Sequence, residues 1–145
     1  MTELIFLLHS AATLLLTGLI WFVQLVFYPL FKHVGVDEFP SYARRYSRQT
    51  AFYVAPLMIL ELATGISLFF SRPEQFEFAF VLAGFGLVVI IWLTTIFVLG
   101  PKHRELMHGF NIDMLRDLQR TNWVRTVCWS LRSAIVMLIL LEIAV

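Results

Sequence analysis

The chain has 145 residues, of which 59% are hydrophobic and 14% charged, with a mean hydropathy of +0.80. That is too little charge to cover a water-soluble domain of this size, so the solvent it is built for is lipid. A net charge of +1 gives no basis for a nucleic-acid partner, and the single cysteine, Cys128, excludes a disulfide within the chain. Cys128 reads as a small buried apolar side chain.

Four apolar runs are long enough to cross a bilayer as helices. The first is "LIFLLHSAATLLLTGLIWFVQLVFYPLF" (4–31). It follows no basic segment and has no small-residue cleavage site after a short apolar core, so it reads as a retained helix and not a signal peptide. The next three cover about 52–70, 78–100 and 122–145. Short connections between them predict one all-α domain over residues 1–145, a polytopic antiparallel four-helix transmembrane bundle.

The first loop, "KHVGVDEFPSYARRYSRQT", predicts a short interfacial helix after Pro40 with Ser41 as its cap. The third, "PKHRELMHGFNIDMLRDLQRT", predicts a helix from Pro101 to His108, a stop at Gly109 and a new start capped by Asn111. Its Leu106, Met107, Phe110, Met114, Leu115 and Leu118 are expected at the membrane surface. Ala79 and Ala83 have the spacing that lets two helices approach closely. Basic residues concentrate in the first loop (Lys32, Arg44, Arg45, Arg48) and the third (Lys102, Arg104, Arg116, Arg120). The second loop has only Arg72, beside Glu74 and Glu77. The positive-inside rule then puts the first and third loops in the cytoplasm and both termini outside it.

Ionisable groups inside a bilayer cost about 2.5–3.5 kcal/mol each on insertion scales and normally face the bundle interior with a partner. At 1.5 Å of rise per residue, Glu61 and Arg132 both fall near the middle of their runs, on different helices, which predicts an ion pair. Arg125 lies two turns before Arg132 on the same face, with Trp129 between them and Asn122 extending the stripe. Gln24 in the first run comes to the height of Arg125. His9, Glu142 and Ser67 come to similar heights on the outer side, so the polar groups are expected in three layers. Each has a plainer reading: Glu61–Arg132 as a structural pair, Arg125 reaching to headgroups, Gln24 bonding across helices, the tryptophans as packing or interface anchors.

His9 is the one histidine clearly within a span, which disfavours a bis-histidine haem and leaves a single axial ligand. His33, His103 and His108 fall at the cytoplasmic end. The five-residue step from His103 to His108 does not stack on one helix face as metal-binding pairs do, and no metal is expected there.

Several of these residues carry a resemblance. The early His9, "FYP" (27–29), Pro56 with Glu61, "GPKHRELMHG" (100–109) and "NWVRT..WSLR" (122–132) make the chain similar to small bacterial four-helix integral membrane proteins of the anthrone-oxygenase-like kind. The likeness spans most of the chain on short motifs. The layout is also similar to the membrane protoporphyrinogen oxidase family through His9 and "IWFVQLVFYPLFKH" (20–33). That family's lysine-bearing later helix has no counterpart, since no lysine lies inside a span. The resemblance implies cofactor-poor or haem-linked oxidation of a hydrophobic aromatic substrate.

Two functions therefore stand side by side. One is a membrane oxidoreductase acting on a lipophilic aromatic or quinone-like molecule. In it Glu61, Arg132 and His9 do the chemistry, with His9 also the candidate haem ligand, and Arg125, Trp129, Gln24 and Asn122 bind substrate. The other is a non-enzymatic small membrane subunit, a homo-oligomer or partner-binding protein whose buried charges form a structural pair.

Overall fold

A computed structural model describes residues 2–71 and 76–144, with side chains through 142; Arg72 and Glu74 of the second loop lie outside the described residues. Most of those described are helical, in the order α1 (Thr2–Phe22), a π turn (Val23–Phe27), α2 (Tyr28–Phe31), α3 (Phe39–Phe70), α4 (Phe78–Leu93), a second π turn (Thr94–Leu99), α5 (Gly100–Leu106) and α6 (Ile112–Ala144). Four continuous stretches among them, Thr2–Phe31, Phe39–Phe70, Phe78–Leu106 and Ile112–Glu142, are long and apolar enough to cross a membrane. α1 packs against α3 and α6, and α4 against α6 and α3.

The helices are apolar on both faces, and the buried side is picked out by small and polar residues. In α1 the buried positions Phe6, His9, Ala12, Thr13, Leu16 and Ile20 recur at the three- and four-residue spacing of one helix face. Leu4, Leu7, Leu8 and Leu15 are exposed on the other side, as a lipid-facing surface requires. α4 is the most peripheral element, with Val88 and Ile91 its buried residues. Ala79 and Ala83 are exposed, so no close helix approach occurs at them within the chain.

Both π turns sit just ahead of a proline. Pro29 and Pro101 lack the N–H that would continue the ladder, and each ring crowds the carbonyl four residues back. The helix relaxes by widening one turn: Tyr28 N–H reaches Val23 O, and Gly100 N–H reaches Thr95 O. Gly100 suits this turn because a Cβ there would sit 3.2 Å from Thr95 O.

The loop helices differ from expectation. No separate helix follows Pro40; α3 starts at Phe39, runs unbroken through Pro56 to Phe70, and carries Pro40 in its first turn, where an N–H is not needed. Ser41 is inside that turn and donates to Glu38 O (2.8 Å) in place of capping. Asn111 is the cap expected for α6: its Oδ1 accepts from Asp113 N and Met114 N, both at 3.0 Å. Asn111→Ala should cost about 1 kcal/mol of stability, read as a lowered melting temperature in detergent. The chain turns near Gly109 without any positive φ.

Leu106, Leu115 and Leu118 do not lie on a membrane surface. They are buried with Tyr28, Phe31, Phe39, Tyr46 and Leu99 in one cluster, because the α5–α6 turn folds over the junction of α2 and α3. Tyr46 meets Phe31 edge-on at 4.8 Å. A central cluster holds Leu16, Ile20, Met58, Ile91, Cys128 and Trp129, and an end cluster Phe6, Leu68, Phe76 and Ile139.

Candidate functional site

The ion pair expected from depth is present: Arg132 Nε donates to Glu61 Oε1 at 3.0 Å, with both side chains almost fully buried. Around it every polar atom is accounted for within the protein. Glu61 Oε1 also accepts from Thr13 Oγ1 (2.8 Å), and Oε2 from Trp129 Nε1 (3.1 Å). Arg132 further donates through Nη1 to Gly84 O and through Nη2 to His9 Nε2 (3.1 Å).

These bonds fix the tautomer of His9. A guanidinium only donates, so His9 Nε2 must be the accepting nitrogen and the proton resides on Nδ1. Nδ1–H then donates to Thr64 Oγ1 (2.9 Å), and the Thr64 hydroxyl donates to Leu60 O (2.7 Å). His9 thus belongs to the central network and not to an outer layer. Glu142 is exposed and Ser67 half-buried, so that layer does not form.

With both ring nitrogens engaged, His9 has no lone pair to give a haem iron. The cavity it borders with Arg132 and Gly84 holds about 40 Å³, room for a few waters. His9 therefore does not fit an axial haem ligand. Among the described residues no group of three or more His, Cys, Asp or Glu is placed to hold a metal ion. His33 and His108 are exposed while His103 points inward, so the three do not meet.

Toward the α2–α3 end the interior changes character. Asn122 Nδ2 donates to Gln24 Oε1 (2.8 Å), and Gln24 Nε2 donates to Gln119 O (3.1 Å). Gln24 is committed to Asn122 and the α6 backbone, and is no partner to Arg125. Arg125 is only 8% exposed, so it does not reach out to headgroups. Its guanidinium lies over the Trp129 ring, 4.9 Å from the centroid, and its Nε has no hydrogen-bond partner. Among the described residues no carboxylate pairs with it.

Arg125 borders a cavity of about 540 Å³. That volume falls in the range of small-molecule sites. One end is apolar, walled by Leu16, Ile20, Val54, Met58 and the Trp129 ring; the other carries Tyr28, Tyr46, Ser47 and His103. Tyr28 Oη and His103 Nε2 are 3.2 Å apart, and the Tyr46 ring stacks on His103 at 6.2 Å. Ser47 Oγ is buried without a partner. Among the described residues no acidic side chain lines this space, whereas Arg44, Arg48 and Arg125 all do. Both π turns contribute to its wall, through Val23 and Thr95, and the Pro56 region of α3 through Ala55 and Met58.

No family model, curated protein or solved structure matches this chain. The chemistry of the site itself is therefore what bears on function.

Sequence reasoning found Arg125 and Trp129 from their stripe on α6 but missed Tyr28, Tyr46 and His103. The signal for two of them was present in "FYP" and "PKH", where Tyr28 adjoins one helix-distorting proline and His103 lies two residues past another.

Proposed function

We propose that this multi-pass membrane protein binds a lipophilic molecule bearing an anionic oxygen group, held by Arg125 inside the larger cavity. The observation that carries this reading is the buried guanidinium, which among the described residues has no acidic partner and faces a cavity that no carboxylate lines. An uncompensated buried charge is costly, and an anionic ligand would supply the missing partner. In this reading Glu61, Arg132 and His9 hold α1, α3, α4 and α6 together as a structural network. Gln24 and Asn122 tie α1 to α6, and Trp129 joins the two regions through its indole N–H on one side and its ring face on the other.

The four spans are taken to run antiparallel, with the basic first and third loops on the cytoplasmic side and both termini outside. The Tyr28–His103 hydrogen bond favours a second reading, in which the cavity also moves a proton at a phenol- or quinone-like oxygen held by Arg125. That step would accompany two-electron oxidation of a lipophilic aromatic substrate, with the electrons passing to a separate acceptor such as dioxygen or a quinone. If so, Tyr28→Phe should leave binding unchanged and lower turnover by about 10²-fold or more, measured as loss of substrate absorbance.

The binding reading is tested with purified protein in detergent and matched pairs of probes: 9-anthracenecarboxylate against its methyl ester, and dodecanoate against its methyl ester. At least one acid should bind about tenfold or more tightly than its ester. Equal binding of acid and ester in both pairs would remove the anion site from consideration.

A further inference from the structure

The wall of the larger cavity reaches the outer surface along one stripe of α3. Arg44, Arg48, Ala51 and Ala55 all line the cavity and are all exposed. Their spacing of four, three and four residues keeps them on a single helix face. Residues that border an interior space and the exterior at once mark its mouth, and this mouth opens along the flank of a spanning helix.

The mouth has two chemically different ends. Arg44 and Arg48 occupy the end nearer the start of α3, and Arg44 is anchored there by donating to Met107 O (2.9 Å). Ala51 and Ala55 come next, giving an edge of methyl groups about 10 Å long from Arg48 to Ala55 at 1.5 Å per residue. Beside this end the exposed Phe52 and Tyr53 present apolar rings outward. Inside, the order along α3 is the same: Tyr46, level with the arginines, stacks on His103, which bonds Tyr28, and Val54 and Met58 follow at the level of the alanines, Met58 packing with Leu16 and with the Trp129 ring that carries Arg125. Charge and hydrocarbon are thus segregated along the opening and along the interior in the same sense.

A soluble anion needs only the charged end, and a neutral lipid only the apolar one. We propose that the cavity takes a single-chain anionic amphiphile directly from the surrounding leaflet, sideways past Ala51 and Ala55. Its acid group passes from Arg48 to Arg125, and its chain lies along the Leu16–Met58 wall. The proposal rests on the reading of Arg125 as an anion anchor and adds the ligand's shape and its route. A carboxylate and a phosphate head share the required chemistry. The small side chains at residues 51 and 55 are the gate-width determinants, since they leave room for a chain where leucine or tryptophan would close it.

The test uses the full chain in phosphatidylcholine nanodiscs with cis-parinarate, a fluorescent single-chain carboxylate, monitored by energy transfer from tryptophan. Palmitate and monohexadecyl phosphate should each displace it, separating carboxylate from phosphate preference by their relative potency, and methyl palmitate should not. Ala51→Trp with Ala55→Trp should slow association by about tenfold or more. Ala55→Leu, a milder change, should slow it less while keeping the same melting temperature, which guards against misfolding as the cause. Displacement by 9-anthracenecarboxylate but by neither single-chain acid would overturn the amphiphile. Association unchanged in both α3 variants would overturn the lateral route. In either case the anion anchor itself would stand. Only the absence of acid-over-ester preference with every probe would take the anchor down as well.

Discussion

Arg125→Met should abolish anion binding and, at the same time, leave the ligand-free protein as stable as before or more so. The two effects have one cause. In the free protein the guanidinium is buried against Trp129 with no acid to neutralise it, so its removal relieves desolvation instead of breaking a pair. Replacement of buried ionic groups by apolar side chains of similar volume is often neutral or stabilising by about 1–4 kcal/mol. Binding moves the opposite way, because truncating one member of a buried charge pair costs about 2–5 kcal/mol, or at least about 30-fold in affinity. Binding isotherms and melting curves of the same two proteins check it. A variant that binds normally, or one that loses binding only because it unfolds, would refute the assignment.

The pair at the centre should answer in the reverse sense. Glu61→Leu leaves Arg132 buried and unneutralised and should destabilise by about 3–5 kcal/mol, as should Arg132→Met on its own. Combining them removes both charges, and the joint loss should fall short of the sum by about 2–3 kcal/mol. Full compensation is not expected, because Trp129 Nε1, Thr13 and Gly84 O lose partners in the double variant. Unfolding monitored by circular dichroism in detergent gives the four corners of the cycle. Strict additivity would mean that Glu61 and Arg132 act independently despite their 3.0 Å contact.

These two arginines also show what the sequence could convey. Glu61 and Arg132 were legible because each sits mid-span on its own helix, and a fixed rise per residue converts position directly into depth. Arg125 and Trp129 were legible because they repeat on one face of α6. Depth alone says nothing about azimuth, however. Gln24 shares a level with Arg125 yet turns to Asn122, and His9 turns to Arg132 and Thr64 in place of Glu142. The cavity was hidden for a related reason. Each π turn adds a residue to its helix and rotates the next turns by about 100° relative to an unbroken helix. Tyr28 and His103 each lie just beyond one such turn, so regular periodicity assigned them no inward face. Leu106, Leu115 and Leu118 were placed at an interface because hydropathy does not reveal that a turn folds back over aromatic rings.

The hydrogen bonds around His9 all run in one direction. Arg132 gives to the imidazole, the imidazole gives to Thr64, and Thr64 gives to the Leu60 carbonyl. A proton passed along this row stops at the Leu60 carbonyl, which has no hydrogen to hand on. The row therefore ties α6 to α3 through α1 and gives a proton no exit on the Leu60 side.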